Sequence, residues 1–148
     1  MALTMIRLVL SLMTFLFIAN SAIGGEPTST RRCTKKEAMA ADKEAAYLDS
    51  WTAIYRSFRK YHHCDDGAIA TGYTDSVVRN LVRNWVRLSE LEAMLRRDLR
   101  FEAFVLRHIS ATALTEDLQR IKTSECPKGA LGLCKKVQQA AERALSSS

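Results

Sequence analysis

Two stretches of this chain, Thr28 to Asp66 and Tyr73 to Cys126, contain neither glycine nor proline. Long segments without breakers favour helix. Runs of alternating Val, Ile and Thr, the mark of half-buried strands, are absent. Hydrophobic residues make up 47% of the chain and charged residues 26%. That is the balance of a globular protein rather than of a disordered one. The fold class expected is all-α, a compact bundle of five to seven helices around one core.

Caps and apolar periods place the helices. Thr34-Lys35-Lys36-Glu37 has the capping-box pattern and starts one helix. Tyr47, Trp51, Ile54, Phe58 and Tyr61 form one apolar stripe, with Arg56, Arg59 and Lys60 off it. A second stripe, Ile69, Tyr73, Val77, Leu81, Trp85 and Leu88, follows a start near Asp65-Asp66. Gly72 lies inside it and marks either close packing or a break. Ser89-Glu90-Leu91-Glu92 reads as a further capping box. Asp98 is expected to cap a helix carrying Leu99, Phe101, Phe104 and Val105, and Thr115 a short one carrying Leu118 and Ile121. Cys126-Pro127-Lys128-Gly129 is a turn before a closing helix from Leu131 to about Leu145. Trp51, Phe58, Tyr73, Leu81 and Trp85 are expected in one core.

The first residues read differently. Arg7 precedes an apolar run, Leu8 to Ala19, and small residues follow it. The run is short of the roughly 20 residues a bilayer span needs, and fits a secretory signal peptide over 1–24. No second long apolar run occurs, so the mature chain is expected to lack a transmembrane segment. Residues 25–148 are then one helical domain, opening on a flexible arm at 25–33, and the protein is expected to be exported, periplasmic or secreted.

Export gives the cysteines their meaning. Cys33, Cys64, Cys126 and Cys134 are an even set, read as two disulfides. The paired close spacings of a structural zinc site are missing, so no metal is expected. A local pairing, Cys126 with Cys134, requires Cys33 to reach Cys64. A straight helix from Lys35 to His62 would hold those ends roughly 40 Å apart at about 1.5 Å per residue. Either the chain folds back near Leu48-Asp49-Ser50, with Asp49 as a candidate cap, or Cys33 and Cys64 each pair with one of the C-terminal cysteines.

Candidate chemistry is sparse. No phosphate loop, Gly-x-Ser-x-Gly elbow or His-Glu-x-x-His motif occurs, and no cofactor is expected. Tyr61-His62-His63-Cys64-Asp65-Asp66-Gly67 is the densest polar cluster. One of Asp65 and Asp66 is expected to cap the next helix, leaving the other for solvent or a partner. His108 lies in an apolar helix and reads as a core or capping histidine. Arg79, Arg83 and Arg87 recur four apart as a basic edge, in a chain of net charge +6. That edge suits an acidic protein or an anionic envelope polymer. Nucleic acid is not expected, because no exposed aromatics interleave with the arginines.

The layout of signal peptide, breaker-poor helices and two staples resembles small bacterial envelope proteins that bind and inhibit others. Immunity proteins against type VI secreted cell-wall hydrolases are one such group. Cys64-Asp65-Asp66-Gly67 and the Gly72-Tyr73 step resemble a signature of secreted proteins without assigned activity. The resemblance is one of layout, so it carries no residue roles. It implies an exported, non-enzymatic binding protein acting on a secreted partner; the residue readings above make Asp65, Asp66, Arg79, Arg83 and Arg87 the candidate contacts. The alternatives are a small periplasmic hydrolase or lyase using Asp65, Asp66 and His108, or an envelope-associated structural protein held to anionic surfaces.

Overall fold

A computed structural model describes residues 31–147. The signal peptide expected at 1–24, and residues 25–30 of the arm, lie outside the described residues. Within them the chain forms seven α-helices: α1 (Lys35–Ala45), α2 (Trp51–Tyr61), α3 (Gly67–Arg83), α4 (Leu88–Leu95), α5 (Leu99–Arg107), α6 (Thr115–Thr123) and α7 (Leu131–Ser146). No strand occurs among them, and none of these helices is long and apolar enough to cross a membrane.

Local chemistry explains the boundaries. Thr34 and Glu37 form the expected capping box, with the Glu37 backbone N–H donating to Thr34 Oγ1 at 3.3 Å and the Thr34 N–H donating to Glu37 Oε2 at 3.1 Å. The fold-back falls where Leu48-Asp49-Ser50 suggested it, but Ser50 caps α2, not Asp49. Ser50 Oγ accepts from the Ala53 N–H at 3.2 Å. Tyr47 is left on the turn, 79% exposed, and does not join the α2 stripe. Asp66 caps α3, and Gly67 follows it at φ +52°, a conformation that favours glycine. Asp98 caps α5 through the N–H groups of Arg100 and Phe101. Leu99 is exposed and outside the core.

Two expected caps are absent. α4 begins at Leu88, directly out of a 3₁₀ turn at Trp85–Arg87, and Ser89 caps nothing. Thr115 is the first residue of α6, and its cap position is held by Leu114 without a side-chain bond. Backbone bonds serve instead at both places: the N–H of Leu88, the first residue of α4, donates to Trp85 O in the 3₁₀ turn, and in the first turn of α6 Asp117 N–H donates to Leu114 O at 3.1 Å.

The helices share one continuous core. α3 lies against α1, α2 and α6, and α7 covers α6, α5 and α4. An aromatic cluster sits where α2, α3 and α5 meet. Phe104 packs 5.0 Å from both Phe58 and Tyr73, and 4.4 Å from the His108 ring, measured between centroids. Trp51, Phe58, Tyr73 and Leu81 are buried as expected, whereas Trp85 is half-buried. It has left the stripe because α3 ends at Arg83, and its indole N–H donates to Glu125 O at 2.7 Å.

The disulfides are Cys126–Cys134, the local pairing, and with it Cys33–Cys64. The latter closes the α1–α2 hairpin at its open end, and the reversal after Ala45 makes it geometrically accessible. Close packing explains Gly72. A Cβ there would lie 3.0 Å from both Ala45 Cβ and the Ala46 backbone nitrogen, at the α1–α3 crossing. Gly72→Ala is expected to cost about 1–3 kcal/mol, because backbone must shift to admit the methyl. At Gly132 the same Cβ meets nothing closer than Glu92 Oε1 at 3.6 Å. Gly132→Ala is therefore expected to be neutral or to stabilise α7 by up to about 1 kcal/mol. Denaturant melts of the two variants check the contrast.

Candidate functional site

The antiparallel hairpin of α1 and α2 places the start of one helix beside the end of the other. A groove of about 770 Å³ opens there, lined by Arg31, Arg32, Lys36, Glu37, Arg59 and Lys60. Five of these are cations and one is an acid. The stripe of α2 turns Trp51, Ile54, Phe58 and Tyr61 inward, so Arg59 and Lys60 must point out. The Cys33–Cys64 bond then brings Arg31-Arg32 alongside them. The charges are weakly compensated. Arg31 pairs with Glu37 Oε1, and Arg59 comes only within 4.0 Å of Asp98. Lys60 Nζ sits over the Tyr61 ring, 4.6 Å from its centroid. Lys35, Lys36 and Lys43 border a neighbouring hollow with the exposed Met39.

Glu37 organises the groove's inner end. Hydrogen bonds from Thr34, first its hydroxyl and then its backbone N–H, hold the Glu37 carboxyl down to about 2, with His63 and Arg31 acting the same way. It is therefore a fixed anion that anchors the arm.

The expected basic edge is divided among three roles. Arg79 is a structural clamp: its Nη2 donates to Ala46 O at 2.9 Å, to Leu48 O at 3.4 Å and to Ser76 Oγ at 3.1 Å. Arg83 is exposed and lines a separate cleft with Arg120, Asp75 and Asp117, where charges are mixed. Arg87 lies beyond α3 on the 3₁₀ turn, and its two donors grip Glu90 at 2.7 and 2.8 Å. The three do not form one surface, because α3 stops before the third.

The two aspartates also separate. Asp66 Oδ1 accepts from the Gly67 N–H at 2.7 Å, as a cap. Asp65 points inward rather than to solvent, with its side chain 2% exposed. His108 Nε2 lies 3.0 Å from Asp65 Oδ2, and Arg107 pairs with the same oxygen. On the far side of the ring, His108 Nδ1 lies 3.2 Å from Thr74 Oγ1, which in turn lies 3.4 Å from Ser110 Oγ. Burial opposes ionisation of Asp65. The hydrogen bond and charge of His108, with Arg107 beyond, outweigh it and hold the carboxyl below the usual carboxylate range. The order acid, imidazole, hydroxyl is that of a nucleophilic triad. Here, however, Thr74 and His108 are both buried, and Thr74 does not line the groove beside Asp65. The chain of bonds serves to join the α2–α3 junction, α3 and the end of α5.

Sequence reasoning missed the groove. Its cations were visible as the Arg31-Arg32 end of the arm and as Arg59 and Lys60 off the α2 stripe. Only the pairing of Cys33 with Cys64 brings them together, and the spacing left that pairing open.

Asp65→Ala is expected to cost about 2–3 kcal/mol, since it leaves buried His108 without its acceptor. Asp66→Ala is expected to cost about 1 kcal/mol, as the loss of a cap. Denaturant melts of the two single variants check the order. A pH effect follows from Glu37 and Asp65. Both have folded pKa values below their unfolded ones, near 4, so the unfolded state takes up protons first as pH falls. Their contribution is complete above about pH 5 and is lost as pH falls through the folded values, about 2 for Glu37. Thermal melts across that window should fall less steeply for the double variant Glu37→Gln, Asp65→Asn than for the parent.

Comparison with family models, curated proteins and solved structures found no match to this chain.

Proposed function

We propose that this is an exported, non-enzymatic binding protein that docks an acidic surface of a secreted partner in the α1–α2 groove, in the manner of an inhibitor or immunity-type protein. The observation that carries the reading is the gathering of five cations around one carboxylate that is already engaged. Uncompensated charge of one sign in a concave site attracts and orients a partner of the other sign. Two disulfides suit an oxidising compartment, as does the apolar run at the start of the chain. Of the residues expected to contact the partner, Arg83 and Asp66 remain exposed, while Asp65 and Arg79 act inside the fold. The burial of Thr74 and His108 weighs against the hydrolase or lyase alternative.

The test is capture of secreted proteins from the native source by the parent and by the triple variant Arg32→Glu, Lys36→Glu, Lys60→Glu. These are surface positions, so each reversal should change stability by no more than about 0.5 kcal/mol. The parent should retain one defined protein, less well as salt rises, and the variant should lose it at an unchanged melting temperature. Equal capture by both would overturn the groove as the docking site. Parent binding to anionic vesicles alone would favour the envelope-associated alternative.

A further inference from the structure

At the inner end of the hairpin, three side chains with metal-ligand atoms converge, and a fourth is bonded to one of them. His63 Nε2 lies 3.4 Å from Glu37 Oε1. One donor atom from each of Glu37, His63 and Cys64 falls within 4.8 Å of the other two. Cys64 Sγ is bonded to Cys33 Sγ, which adds a fourth donor. The His63 side chain is only 6% exposed, and its Nε2 has no hydrogen-bond partner among the described residues. It faces the Glu37 carboxylate from just beyond good hydrogen-bond distance. The 3.4 Å separation matches the edge of a tetrahedron built from zinc–nitrogen and zinc–oxygen bonds of about 2.0–2.1 Å, which is roughly 3.3 Å.

We propose that Cys33, Glu37, His63 and Cys64 form a redox-gated zinc site. While the disulfide stands, two of the four donors are consumed and the set is incomplete. Reduction by a dithiol puts two electrons into the sulfur–sulfur bond and two protons onto the sulfurs, and the reductant leaves as its own disulfide. Zn²⁺ then displaces both thiol protons and binds two thiolates, neutral His63 through Nε2, and Glu37 through Oε1. Access favours this order. Cys33 is exposed and Cys64 is buried, so an attacking thiolate meets Cys33 first and Cys64 departs beside His63. Arg31 shares Glu37 Oε1 and is displaced by the ion, while Thr34 keeps Oε2. The second disulfide has no such surroundings: Cys126 Sγ faces Gln138 Oε1 at 3.6 Å, and no further metal-ligand group is found among the described residues. The separation in sequence of Cys33 from Cys64 hid the set, because the donors meet only across the hairpin.

The experiment titrates Zn²⁺ into the full chain, oxidised and reduced, in competition with a chromophoric chelator. Reduction uses a phosphine, which takes the oxygen of water to become its oxide and adds no competing thiol. Co²⁺ in place of Zn²⁺ reports thiolate ligation by its charge-transfer absorption. The reduced chain should bind one ion with that absorption, and the oxidised chain none at the same concentrations. His63→Ala should lose stoichiometric binding, and Glu37→Gln, which can keep the capping box, should weaken it. If reduction loosens the hairpin, circular dichroism should show zinc restoring helix in the parent and not in His63→Ala. No binding by the reduced chain, equal binding by the oxidised chain, or parent-like binding by His63→Ala would each overturn the proposal.

Discussion

Polar contacts from one face of α3 hold the reversal between α1 and α2. Ser76 Oγ donates to Ala45 O at 2.6 Å and accepts from the Leu48 N–H at 3.1 Å. Asn80 Nδ2 donates to Leu48 O at 2.9 Å, and Arg79 reaches Ala46 O and Leu48 O. The last carbonyls of a helix have no partner within it and carry the negative end of its dipole. Here they receive a guanidinium and a hydroxyl from another helix. The chain can therefore turn in five residues, 46–50, without stranding backbone groups in the interior. Gly72 completes the contact by letting α3 approach until no side chain fits between the backbones.

Everything at the other end of the hairpin depends on that reversal. Without it α1 and α2 would run on as one rod, and Cys33 would be far from Cys64. With it, the disulfide closes a hairpin whose polar faces both look outward, and the cations of arm and helix are brought to one groove. The capping box at Thr34 has a second consequence there. The glutamate that helps start α1 is also the single anion among the groove's lysines and arginines, and its carboxyl faces buried His63. One residue thus links helix initiation, the charge pattern of the groove and the donor set around the disulfide.

What the sequence shows and what it hides follow the range of the interactions. The capping box at Thr34, the cap at Asp98 and the inward face of α2 are set by neighbours within one or two turns, and they were legible. So was the all-helical class, and with it the two staples. Arg79, Arg83 and Arg87 looked alike because spacing alone distinguishes nothing about what faces them. One meets the end of α1, one faces solvent, and one lies past the end of its helix. Ser89 and Thr115 fit cap patterns, yet each helix starts early enough that both residues lie inside it rather than at its cap position. Tyr47 kept the period of α2 across a turn, since periodicity cannot register a break that preserves its phase. Asp65 and Asp66 were equivalent as adjacent carboxylates until the fold placed His108 beside one of them.

The Asp65–His108 pair also bears on specificity. A buried carboxylate with a polar partner is weak evidence for stability, because the cost of desolvation cancels much of the attraction. Its contribution is clearer in what it forbids. Asp65 sits on the junction between α2 and α3, His108 at the end of α5, and Thr74 in the middle of α3. A small shift of α5 along α3 would disturb the packing of Phe104 on Phe58 and Tyr73. The same shift would leave a carboxylate and an imidazole buried without partners, at a further cost. The polar chain therefore acts as a register pin beside the aromatic layer. α3 is held in this way on two sides: by Ser76, Arg79 and Asn80 against the hairpin turn, and by Thr74 against α5. A helix gripped by polar contacts at both faces has little freedom to slide, and the groove inherits that rigidity, because both of its walls are anchored to α3.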